Sequence, residues 1–336
     1  MKEKYSIIAI PELRNSQDLE DRCEGVFPKV NKDLLVILGT LVYPYFLFGK
    51  EEEKYGYSST KENLDRTMNI FNYYLNEQLQ KKRLKNFPQF IKETKDGVLR
   101  IDRDKLSKAV ETLNDIIEKT EKEVKEEYKR IADKLEKMKT PYFIVPSVFD
   151  FEPLLREYFK DKILHKEVKN LEGILISGFG GSPYIPQIPL LLEGPYLFKE
   201  DAHVNGGKIE VNYSEAIDFF NQIEQPDLVF TFWPPFGFSD EIEESLGNKK
   251  SVGSPGLCVV LENANPDLWI VGRGFERDVK YKQIGGTYIV SGAPQDVIHV
   301  LYDLDDRNAE INFYVDKKLV MHAKTSDTSL MKEIFF

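Results

Sequence analysis

Hydrophobic positions fall into two kinds of run. Short apolar, β-branched stretches recur at Tyr5–Ile10, Asp33–Leu38, Pro141–Pro146, Gly173–Ser182 and Asp227–Thr231. Unbroken runs of this length are the pattern of strands covered on both faces, as in parallel sheets. The second kind is periodic. Asn63–Leu84 carries Leu64, Met68, Phe71, Leu75 and Leu79 three or four apart. Lys105–Met138 carries Val110, Ile117, Val124, Ile131 and Met138 seven apart, flanked by Leu106, Leu113, Tyr128 and Leu135. Such stripes predict amphipathic helices that pack along another helix or along a second copy. Glu127 and Lys134 break strict heptads, which disfavours a long coiled coil.

In chain order, Tyr5–Ile10 is a strand ended by Pro11, Gln17–Val26 a helix, and Asp33–Leu38 a strand closed by Gly39. Strand, helix, strand in so short a span predicts a βαβ unit and a largely parallel sheet. Residues 45–139 are Lys-, Glu- and Asn-rich and read as a helical block. It interrupts an α/β domain formed by 1–44 and 140–336, and it is separable if it is a true insertion. Further helices are predicted at Phe151–Lys160, Ser214–Ile223 and Gly253–Glu262, and further strands at Leu268–Gly272, Thr287–Val290, Val297–Asp303 and Glu310–Val315. Ile185–Lys199 reads as a proline-rich loop. So many consecutive strands predict a second, partly antiparallel sheet packed on the first. The expected fold class is α/β, two sheets flanked by helices.

Composition narrows the function classes. The net charge of −10 argues against a general nucleic-acid surface or an anionic-membrane surface. Cys23 and Cys258 are too few for a disulfide framework or a zinc site, so a reducing cytoplasm is expected. The first apolar run is too short for a signal peptide or a membrane span, and no 18-residue apolar run follows. The charged fraction of 30% is of the kind found in thermophilic proteins.

Leu228–Thr231 stops at Phe232-Trp233-Pro234-Pro235, because proline cannot donate to a sheet ladder. Loops at the carboxyl ends of strands are where α/β folds build ligand sites. Yet this loop carries Phe232, Trp233, Phe236 and Phe238.

Five such loops stand in order: Ile10-Pro-Glu-Leu-Arg-Asn15, Leu38-Gly-Thr40, Val145-Pro-Ser-Val-Phe-Asp150, Thr231-Phe-Trp-Pro-Pro235 and Val271-Gly-Arg-Gly-Phe-Glu276. Their order and frames resemble the calcineurin-like metallophosphoesterases, whose loops read Asp-x-His, Gly-Asp, Gly-Asn-His-Asp, a His before two prolines, and Gly-His-x-His. Gly178–Ser182, Pro235–Asp240, Val252–Ser254, Glu276 and Gly285–Gly292 resemble flanking stretches of that family. The resemblance covers Ile7–Gln17, Asp33–Val42 and about Pro141–Asp303, and makes the helical block an insertion. It implies a two-sheet sandwich and, in intact members, two divalent metals that activate a water and clamp phosphate.

At the ligand positions stand Glu12, Arg14, Thr40, Val148, Phe149, Phe232, Arg273 and Phe275, and the four histidines lie elsewhere. Phenylalanine and valine have no donor atom, and arginine repels a cation. Asp150 matches, but in the family it orients a His whose place Phe149 takes. The implied protein is a degenerate member without metal or cofactor, serving as a binding or scaffolding subunit. The alternatives are an atypical phosphoesterase acting on a nucleotide or a nucleic-acid phosphodiester, and a non-hydrolytic nucleotide or anion sensor built on Arg14 and Arg273. Arg14 and Arg273 are expected to pair with Glu12, Glu276 or Asp150. A protein partner or self-association is expected through the helical block or the Trp233 loop. Gly178–Ser182 lacks the lysine of a phosphate-binding loop and reads as a tight turn. His203 reads as a surface residue, and Leu330–Phe336 as an apolar tail that docks on the body or on a partner.

Overall fold

A computed structural model describes residues 3–26, 32–42, 103–183, 192, 194–205, 208–243, 249–275, 280–293, 296–315, 317–326 and 332–333. The predicted helix Asn63–Leu84, most of the Ile185–Lys199 loop, Glu276 and nearly all of the C-terminal tail lie outside them.

The chain is a mixed α/β sandwich of two large sheets. The first contains β1 (Lys4–Pro11), β2 (Leu34–Leu38), β3 (Tyr142–Val145), β14 (Val297–Asp303), β15 (Asn308–Val315), β16 (Lys318–Lys324) and β17 (Lys332–Glu333), in the order β17-β16-β15-β14-β1-β2-β3. The second contains β4 (Glu167–Leu171), β5 (Ile174–Phe179), β8 (Leu228–Thr231), β11 (Leu268–Val271), β12 (Lys280–Ile284) and β13 (Thr287–Ser291), in the order β12-β13-β11-β8-β5-β4. Its four central strands are parallel and its two edges antiparallel.

The last strands correct the sequence reading. Val297–Asp303 and Glu310–Val315 do not extend the second sheet. They return to the first, with β14 antiparallel against β1 in the register Lys4 to Asp303. Beside β1 on that side there is a free ladder to complete, and a strand run carries no mark of which sheet it joins.

Alternation explains the layers. Tyr5, Ile7 and Ala9 of β1 and Leu34, Val36 and Leu38 of β2 face the interior between the sheets, while Ile8, Ile10, Leu35 and Ile37 face outward. The outer face is covered by α1 (Ser16–Val26), α2 (Arg103–Met138) and α3 (Glu152–Phe159). On α2 the stripe Val124, Tyr128, Ile131 and Leu135 is fully buried there. The second sheet is backed by α4 (Glu215–Phe220) and α5 (Pro255–Ala264). Trp269 packs beside Phe220 of α4, with ring centroids 5.8 Å apart, so its neighbours Leu268 and Ile270 point into the sandwich.

The two residues that break the heptads clamp α1. The main-chain nitrogen of Ser16 donates to Glu127 Oε1 at 2.5 Å, and Lys134 Nζ donates to Ser16 O at 2.9 Å while pairing with Glu20. Helix N-termini leave amides unpaired. Here one is satisfied by a neighbouring helix, and Asn15 Oδ1 accepts from Asp18 N to cap another. Two small hairpins went unread in the sequence, β6 (Glu200–Asn205) with β7 (Lys208–Ser214), and β9 (Glu241–Glu243) with β10 (Lys249–Ser251). Both are polar and lack a buried face to betray them. No described helix is long and apolar enough to cross a membrane.

Candidate functional site

The carboxyl ends of β1, β2, β3, β8 and β11 converge at one rim of the sandwich. The backbone there is unusual. Glu12 (φ 42°), Gly39 (φ 79°), Thr40 (φ 30°) and Ser239 (φ 52°) all occupy the left-handed region. For residues with a β-carbon this costs of the order of 1 kcal/mol each, and such strain clusters at ligand sites.

Phe232 is the centre of the rim. Its ring is fully buried and lies directly on Gly39. A β-carbon at Gly39 would overlap Phe232 Cδ2, stand 2.5 Å from Cε2, and stand 2.9 Å from Ser147 Cβ. The absent side chain at 39 is therefore what admits the ring. Val148 and Phe149 join the same interior cluster, and Phe275 packs at its border. Trp233 and Phe275 meet edge to face at 5.0 Å, and the indole donates to Val252 O at 2.9 Å. Trp233, at 9% exposure, and Phe238, at 4%, are buried in the loop.

The charged residues are engaged one by one. Glu12 is buried and its carboxylate is paired with Arg273. The Arg273 guanidinium also lies over the Phe275 ring at 5.0 Å. Glu12 is held from behind by Arg22, which sequence reasoning did not single out. Arg22 is 5% exposed and places all five donors: two on the Asp18 carboxylate, and one each on the carbonyls of Pro11, Glu12 and Asp296. An arginine on an amphipathic helix reads as solvated, so nothing in the sequence marks this role. Arg14 donates its main-chain nitrogen to Asp18, and its guanidinium has no partner among the described residues.

Asp150 is fully buried and meets no arginine. Its Oδ1 accepts from Leu41 N at 2.9 Å and from the Tyr128 hydroxyl at 3.2 Å, and its Oδ2 from Ser147 N at 2.8 Å. Burial pushes its pKa above the usual carboxylate range, although these bonds pull the other way. Ser147 binds Thr40 Oγ1 at 3.0 Å and receives Phe149 N at 3.0 Å, so the β2 and β3 loops are tied together by hydroxyls. Tyr128 reads as an apolar member of the helix stripe and Ser147 as a plain loop residue, so their bonds to Asp150 are not legible in the sequence.

Among the described residues, no three His, Cys, Asp or Glu side chains converge as a metal-binding group. Among the described residues, the rim carboxylates at or beside the sequence-predicted ligand positions are Glu12 and Asp150, and both are occupied by protein donors. The Gly178–Ser182 turn is equally spent. Gly180 N donates to His165 Nδ1 at 3.0 Å, Gly181 N to Pro146 O at 2.7 Å and Ser182 N to Tyr196 O at 3.2 Å, so three successive amides are unavailable to a phosphate. His203 is exposed and pairs with Glu210 at 2.9 Å.

No family model matches the chain, and no curated protein does. Solved structures do. One crystal structure is 16% identical with TM-score 0.54, over 93% of this chain and 99% of that one. The protein TT1561 of Thermus thermophilus is 11% identical with TM-score 0.43, over 93% of this chain and 99% of that one. A Staphylococcus aureus protein named provisionally as a 5'-nucleotidase, in complex with alpha-ketoglutarate, is 9% identical with TM-score 0.41, over 90% of this chain and 51% of that one. The last two are too distant to carry weight. The first is a likeness of fold alone, and the fold that this chain brings to it is an α/β sandwich of two multi-stranded sheets.

Proposed function

We propose that the chain is a calcineurin-like phosphoesterase fold that has left catalysis and acts as a binding or scaffolding subunit, with α2 as part of an inserted helical block. The observation that carries this reading is the Phe232 ring seated on Gly39, in the space between the strand ends. A dinuclear metal centre needs several oxygen and nitrogen donors around that space. The positions that would supply them hold Phe149, Phe232 and Phe275, a carboxylate neutralised by Arg273, and Arg14. This donor set does not suit such a centre.

The test is metal content and turnover together. After incubation with Mn²⁺, Mg²⁺ or Ni²⁺ and desalting, the pure protein is expected to hold no stoichiometric metal and to hydrolyse neither bis(p-nitrophenyl) phosphate nor p-nitrophenyl phosphate above blank. Two metals per chain, or metal-dependent hydrolysis abolished by Arg14→Ala with Arg273→Ala, would establish the phosphoesterase reading instead. One observation favours the sensor reading as second choice: the Arg14 guanidinium has no described partner. Calorimetric binding of phosphate or a nucleotide, lost in the same double variant, would select it. The partner surface we favour for a scaffold is α2. The Trp233 loop, with its indole turned inward, offers less.

A further inference from the structure

Behind the rim, the loop after β11 packs against a second, polar cluster. Arg273 and Phe275 project to one side, where the guanidinium covers the ring. Gly274 between them faces the other way, and its open side meets three oxygens. The point where a β-carbon would stand lies 2.8 Å from Ser239 Oγ, 3.0 Å from Ser291 Oγ and 3.3 Å from the Gly292 carbonyl oxygen. Ser239 is 4% exposed and Ser291 is 1% exposed, and neither hydroxyl has a hydrogen-bond partner. Ser239 is also held in the left-handed region, with its carbonyl fixed by Phe275 N at 2.9 Å.

Two buried hydroxyls left unpaired are costly, and folded proteins satisfy such groups with protein atoms or ordered water. The two hydroxyls do not bond each other, yet both are close to one point, so they lie no more than about 6 Å apart. That is the span which one water bridges with two hydrogen bonds, and a buried water needs two to four polar partners. We propose that Ser239, Ser291 and the Gly292 carbonyl bind a single water molecule behind Gly274. The glycine is there to leave it room. The water joins the Ser239 loop, the β11 loop and the end of β13, and so fixes the backbone that presents Arg273 to Glu12. The site is independent of whether the rim is catalytic. Its oxygens are neutral, which suits water better than an anion or a divalent cation.

The test is a high-resolution crystal structure of the native protein, read with thermal unfolding of two variants. One peak within hydrogen-bond distance of all three oxygens is expected in the native structure. It should be absent in Gly274→Ala, whose backbone conformation tolerates alanine. Ser239→Ala with Ser291→Ala should lower Tm by about 3–10 °C, because the water loses two of its three partners. A dry pocket gives the opposite sign: removing two unpaired hydroxyls then leaves Tm unchanged or raises it. No peak, the opposite sign, or a Tm that depends on K⁺ against choline, which would indicate a cation there, overturns the proposal.

Discussion

The contact between Phe232 and Gly39 predicts a specific non-additivity. Phe232→Ala removes a fully buried ring and should cost about 3–5 kcal/mol. Gly39→Ala carries two penalties. A residue with a β-carbon at φ 79° costs about 1–2 kcal/mol. The overlap with the Phe232 ring adds about 1–3 kcal/mol, because a close-packed site cannot move aside freely. In the double variant the ring is gone, so its overlap penalty vanishes, while the backbone strain and the close approach to Ser147 Cβ stay. The double variant should therefore be more stable than the sum of the singles by about 1–3 kcal/mol. Urea unfolding of the four proteins measures this directly, with unchanged slope as the check that the unfolding transition is the same. A Gly39→Ala variant as stable as the parent, or simple additivity, would mean that the ring does not lie on Gly39. The pocket-filling account of the rim would then fail.

Other predictions follow from the clamps around the rim. Replacing Glu127 by Ala should cost about 1–3 kcal/mol, since it leaves the Ser16 amide without its acceptor. Burial raises the Glu127 pKa, but bonds from Ser16 and Arg130 outweigh it and hold the carboxyl below its usual value. Its contribution is therefore present above the unfolded pKa and is lost as pH falls through the folded one, and acid unfolding of Glu127→Gln should lack that component. Asp150 has the opposite sign. Its raised pKa gives a contribution that is full below the unfolded value and fades as pH rises through the folded one, so Asp150→Asn should flatten stability against pH on the mildly acidic side. Arg22→Ala should cost about 2–4 kcal/mol in thermal or urea unfolding, because it takes the guanidinium from the half-buried Asp18 carboxylate and leaves three carbonyls unmatched. Contrary to the expectation that 45–139 is separable as a whole, deleting it should give an unfolded product by circular dichroism, since Val124, Tyr128, Ile131 and Leu135 cover the first sheet and make the end of α2 part of the core. A deletion that stops well short of Val124 should leave a folded one.

What could be read from the sequence depended on whether a residue advertises its surroundings. β1, β2, β8 and β11 were legible because strands buried on both faces are unbroken apolar runs. The helix Arg103–Met138 was legible from its stripe, but not the role of Glu127 and Lys134, which looked like defects in a heptad. They are the contacts with Ser16, and periodicity does not say what lies opposite. Glu12 and Arg273 stood in the right loops, and the structure brings them together. Arg22, Tyr128, Ser147, Ser239 and Ser291 were invisible, because arginine on a helix, tyrosine in a stripe and serine in a loop are unremarkable until their neighbours are known. The destination of β14 was equally hidden, since strand pairing over long distances leaves no local trace.

That pairing governs how the chain must be made. β1 lies between β2 and β14, so one flank of β1 waits for a strand that is made much later in the chain. Throughout synthesis Tyr5–Ile10 keeps an open row of amides and carbonyls along an apolar strand, the surface on which unrelated chains stick. Loop closure of this length slows folding. The nascent protein has to be shielded until Val297–Asp303 emerges, and translation halted before that point should yield aggregates rather than a smaller folded unit.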